Sequence, residues 1–130
     1  MEAQRGPTLH RDLVGHYQGC VARMQKLETL GKQLAIKKSM AEQTMKVNEG
    51  AMATIKGLIA GLKSNDGTRE QMMQSIQRAQ GIQKTIETSK KVIVESTGKM
   101  RQVEQELLSL RGRKDTLAQV IQMMRVRPQN

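Results

Sequence analysis

A chain of 130 residues is sized for one domain, yet this one has no Phe, no Trp, one Tyr and only 37% apolar residues. Aromatic side chains bury about 150–250 Å² each and normally anchor a globular centre, so the composition argues against a compact globule and for elongated helices around a thin core of Leu, Ile, Val and ten Met. The formal charge is +10, from 22 basic and 12 acidic residues, and such an excess contacts acidic partners best where it concentrates.

The first nine residues read as a tail, because Gly6 and Pro7 oppose an early helix. From His10 to Lys63 there is no proline, and apolar residues alternate at steps of three and four. That seam runs through Leu13, Tyr17, Cys20, Met24, Leu27, Gly31, Leu34, Lys38, Ala41, Met45, Asn48, Met52, Ile55, Ile59 and Leu62. A heptad repeat of this length predicts a coiled-coil helix over 10–63.

The segment 64–68, Ser-Asn-Asp-Gly-Thr, is the one cluster of turn residues inside the chain, and Thr68 is placed to cap a following helix. A second helix is predicted over 69–126, with Glu70 at its positive end. Its seam is read as Met72, Ile76, Ala79, Gln83, Ile86, Lys90, Ile93, Thr97, Met100, Val103, Leu107, Leu110, Lys114, Leu117, Ile121 and Met124. Pro128 closes the pattern, leaving 127–130 as a tail.

Folded back on the first seam, this reading sets Met45 opposite Ile86, Asn48 opposite Gln83 and Gly31 opposite Met100. Asn48 and Gln83 then form a polar layer that would fix the register. Successive steps of three at Thr97, Met100 and Val103 read as a stammer, beyond which the stems, 13–27 and 103–124, match each other less well.

The fold expected is therefore all-α: a long antiparallel two-helix hairpin, completed into a three- or four-helix bundle by partner helices. Val14, Val21, Leu30, Ala35, Ala51 and Leu58 widen the apolar stripe beyond what two strands bury. Nine glycines inside the helical patterns cost about 1 kcal/mol each, which leaves the isolated chain in need of a partner. The stems and flanking stripe are the expected partner-binding set: Leu13, Val14, Tyr17, Val21, Met24, Leu27, Leu30, Leu58, Val103, Leu107, Leu110, Leu117, Ile121 and Met124.

No catalytic constellation emerges. His10 and His16 stand six apart, where metal ligands on one helical face need three or four. Cys20 lies in the seam as a small hydrophobe, and a single cysteine precludes an internal disulfide and fits a reducing compartment. Carboxylates stand four residues before lysines, as in Glu28 with Lys32 and Glu42 with Lys46, which is ordinary helix support. A non-enzyme with no cofactor, metal or small-molecule substrate is expected.

The N-terminus lacks the apolar run of a signal peptide. The most apolar window, 51–62, spans 12 residues and includes Lys56, against roughly 20 needed to cross a bilayer. A soluble cytoplasmic or nuclear protein is expected. Hairpins of this size occur among prefoldin subunits, membrane-fusion coiled-coil proteins and small subunits of kinetochore and lysosome-positioning complexes. The likeness is architectural, and the stretch 52–72 lacks the strands that prefoldin subunits place between their helices.

The function this supports is a scaffold or adaptor subunit that assembles with other coiled-coil proteins in an intracellular complex, as a hetero-oligomer in preference to a homo-oligomer. The alternative is sequence-blind binding of nucleic acid or an anionic membrane through Arg111, Arg113, Lys114, Arg125 and Arg127, where the charge concentrates.

Overall fold

The computed structural model describes residues 2–64 and 67–126. Two helices, α1 (Glu2–Ser64) and α2 (Arg69–Val126), pack as a hairpin, with no strand among the described residues. α1 is helical from Glu2, where the sequence suggested a nine-residue tail. Proline's fixed φ is itself helical, and so near the start Pro7 removes a single bond from the ladder. The second tail expected, 127–130, lies outside the described residues, as do positions 65 and 66 of the turn.

The turn is closed by local hydrogen bonds. The Gly67 N–H donates to the Leu62 carbonyl at 2.8 Å, the six-to-one closure that satisfies a helix C-terminus. Thr68 then caps α2 reciprocally. The Gln71 N–H donates to the Thr68 hydroxyl at 3.2 Å, and the Thr68 N–H donates to the Gln71 side-chain oxygen at 3.1 Å. This capping box satisfies two N–H groups that a helix start leaves without partners.

The chain divides into two compact units, a terminal unit of residues 1–33 and 100–130 and a turn unit of residues 34–99. In the terminal unit Cys20, Met24, Leu27 and Val103 are buried. A Cβ built on Gly31 would stand 3.6 Å from Val103 Cγ1, so Val103, and not Met100, lies opposite Gly31. In the turn unit Leu34, Ala41, Met52 and Ile55 of α1 are buried with Ile86, Ser89 and Ser96 of α2.

The α1 seam is as the heptads predict, with all fifteen positions buried or half-buried. The α2 seam is not. Ile76, Gln83 and Lys90 are exposed, and Ser75, Ile82, Ser89 and Ser96 take the inward places. Steps of three and four then alternate from Met72 to Met124 without the expected stammer. Both alternatives offer one isoleucine, so the polar residues decide. Burying a serine hydroxyl costs far less than burying a lysine or a glutamine side chain. No buried polar side-chain atom among the described residues lacks a hydrogen-bond partner, and no helix among them is long and apolar enough to cross a membrane.

Candidate functional site

The terminal unit spends most of the predicted partner-binding residues on itself. Met24, Leu27 and Val103 are buried between α1 and α2 and offer no surface to a further helix. Leu13, Tyr17, Leu107, Leu110, Leu117, Ile121 and Met124 are half-buried along the same seam, and Val14 and Val21 are half-buried beside it. The stems thus pack on each other and do not turn away, because the unbroken heptad of α2 keeps its stripe facing α1. Leu30 and the turn unit's Leu58 keep exposed faces.

An open cleft of about 600 Å³ runs along one side of this unit, lined by His16, Cys20, Arg23, Leu110, Arg113 and Leu117 among others. The Arg23 guanidinium crosses it, donating from Nε to Glu106 Oε1 at 3.0 Å and from Nη2 to Glu106 Oε2 at 3.4 Å. Arg23 and Glu106 each directly precede a seam residue, so the pair marks the side where the two preceding rows of the helices meet. Both side chains are about half exposed, so the pair adds at most about 1 kcal/mol while fixing the side chains across the cleft.

Among the described candidates for anionic contact, Arg111, Arg113 and Arg125 are exposed, while Lys114 is half-buried in the seam. Arg127 lies outside the described residues. Among the described residues no group of three or more His, Cys, Asp or Glu is placed to hold a metal ion.

No family model, curated protein or solved structure matches this chain.

In the turn unit the expected polar layer does not form. The Asn48 amide donates to its own helix, to the Thr44 carbonyl at 2.7 Å. Gln83 is exposed and lines an outer groove of about 310 Å³ with Glu49, Met52, Lys56, Ile86 and Lys90. Glu49, Lys56, Gln83 and Lys90 each directly follow a seam residue, so this groove lies on the side of the turn unit away from the residues that precede the seam. Facing away from it, α1 carries large apolar side chains that the heptad reading passed over. Met40 is 63% exposed and Val47 72%, and Leu58, already noted as flanking, is 50% exposed. The missed signal was a second run of apolar and small residues at steps of three and four, Met40, Thr44, Val47, Ala51, Thr54 and Leu58, beside the first.

Proposed function

We propose that this chain is a non-enzymatic coiled-coil adaptor subunit that assembles with other helical proteins in an intracellular multiprotein complex. The observation that carries this reading is the apolar surface left over after the hairpin seam is filled, above all Met40, Val47 and Leu58 on α1. A surface stripe of this kind on a monomer marks an interaction site, and a further helix covering it would make a three- or four-helix bundle. The single, buried Cys20 suits a reducing compartment. A hetero-oligomer is favoured, since a second copy would bring its own +10 charge.

The test is to purify the full chain alone and with proteins that co-purify from native cells, and to compare helicity and thermal unfolding. The expected result is weak cooperativity alone and a sharper, higher transition with a helical partner. A cooperative, fully helical monomer that retains no partner would contradict it. A second reading, sequence-blind binding of nucleic acid or an anionic membrane, draws support from the exposed Arg111, Arg113 and Arg125. It predicts affinity that falls steeply with salt and is lost when these arginines become glutamine, whereas adaptor binding survives both changes.

A further inference from the structure

We infer that a helix of the partner lies along one side of the terminal unit, its apolar side chains on Leu9, Val120, Met123 and the floor of the Arg23 cleft, and a carboxylate on Arg113. This rests on the adaptor reading and specifies the partner's chemistry and its place.

Five large apolar residues stay exposed among the described residues of the terminal unit. Leu9, Leu30, Val120 and Met123 each directly precede a residue of the inward rows, and only Leu108 directly follows one. The unfilled apolar surface therefore gathers on the side that the Arg23–Glu106 pair marks. Because the helices of a hairpin run antiparallel, one heptad along from this pair the corresponding places are His16 and Arg113, and two heptads along they are Leu9 and Val120. Leu9 to Arg23 is about 21 Å at 1.5 Å per residue, the length of a four-turn helix.

The cleft of about 600 Å³ opens on this side, and Cys20, Leu110 and Leu117 give it an apolar floor. Its α1 wall is cut back at Gly15 and Gly19, where a Cβ would meet nothing within 4 Å. The packing of α1 on α2 thus requires glycine at neither place, and each weakens the helix relative to alanine. What the missing side chains provide is room for a further backbone to approach.

Charge selects what enters. Arg23 is engaged by Glu106, the only ion pair among the described residues. Arg113 lines the same cleft, exposed and with no carboxylate on it. The other charged residues of these rows are Asp12 and Lys26, one of each sign, so Arg113 is the unbalanced cation. A partner carboxylate would complete its layer as Glu106 completes the next one, and leucine-sized side chains would fill the floor. Nucleic acid would need a run of unpaired cations along its phosphates, and the cleft offers one arginine over an apolar floor. A bilayer interface is met by Trp and Tyr, and these rows hold neither. A second copy would bring an unbalanced Arg113 of its own.

The experiment titrates the full chain with fluorescein-labelled helical peptides of about 20 residues. They carry leucine and alanine on one face and, midway along its edge, either glutamate or lysine. The glutamate peptide should bind, and the lysine peptide at least about tenfold more weakly. Arg113→Glu should reverse that preference with helicity unchanged, because Arg113 is exposed. Gly19→Leu should abolish binding of the glutamate peptide by filling the cleft, in a protein that melts no lower than the original, since the new side chain enters open space. Failure to bind the glutamate peptide, equal binding of both, or indifference to Gly19→Leu overturns the proposal. So does a dimer that Gly19→Leu dissociates in sedimentation, or pelleting with phosphatidylserine vesicles or binding of single-stranded DNA that Gly19→Leu abolishes. A native partner retained equally by the original chain and by Gly19→Leu overturns the docking side and leaves the adaptor reading standing, whereas an original chain that retains no partner contradicts the adaptor reading itself.

Discussion

Gly67 shows how one residue can close a hairpin. A Cβ built there would lie 2.5 Å from Leu62 Cδ2, 2.9 Å from Leu62 Cβ and 3.1 Å from Leu62 Cα. The last of these is backbone, held by the bond from the Gly67 N–H to the Leu62 carbonyl, and it cannot swing aside. Gly98 is the opposite case, lying mid-helix in α2 with nothing within 4 Å of its Cβ position. Alanine should thus have opposite signs at the two sites, read as melting temperature under identical conditions. Gly67→Ala is expected to cost roughly 1–3 kcal/mol, and Gly98→Ala to add up to about 1 kcal/mol by relieving the glycine penalty. Equal effects at both would mean that the turn does not approach α1 as closely as described. Thr68 as a cap was legible from its place after Ser-Asn-Asp-Gly. Its reciprocal partner Gln71 completes a Thr-x-x-Gln pattern that was present in the sequence but not read.

Among elements, α1 was open to reading because its heptad places are mostly large and apolar. α2 resisted in the turn unit because its alternative inward rows, Ser75, Ile82, Ser89, Ser96 and Ile76, Gln83, Lys90, Thr97, hold one isoleucine each. Counting apolar residues could not separate them. The cost of burying amides and ammonium groups could, and so could the continuity of the repeat, since only the serine row runs into Met100 and Val103 without a stammer. Ser96 is as buried as any described residue, at 2% exposed. The partner face was harder to find, since its apolar residues are interspersed with glycine, alanine and threonine and do not form one hydrophobic run. The assignment of rows predicts contrasting alanine scans at adjacent positions. Ile82→Ala should destabilise by about 1–3 kcal/mol, and Gln83→Ala should stay within about 0.5 kcal/mol, in denaturant melts monitored by circular dichroism. The reverse order would restore the rejected row.

For the whole molecule, two long helices with no aromatic core leave few deeply buried side chains, and among the described residues Leu27 and Ser96 are the least exposed, each at 2%. A seam so thin specifies register more firmly than it confers stability, and that division of labour suits a subunit whose remaining apolar surface is meant for another protein. The cap, the serine row and the docking face all depend on α1 and α2 of one chain meeting in a single register. Cys20 permits a direct test with one substitution. The observed seams place Cys20 opposite Lys114, between the cleft residues Leu110 and Leu117, whereas Arg111 lies off the seam and is exposed. Facing seam positions can bring Cβ atoms near the roughly 4 Å that a disulfide requires. Under mild oxidation, Lys114→Cys should give an intrachain disulfide with Cys20, seen as a monomer of faster mobility on a non-reducing gel, while Arg111→Cys stays reduced. Closure through position 111 in place of 114, or dimers linked between chains, would contradict the register and the hairpin built on it.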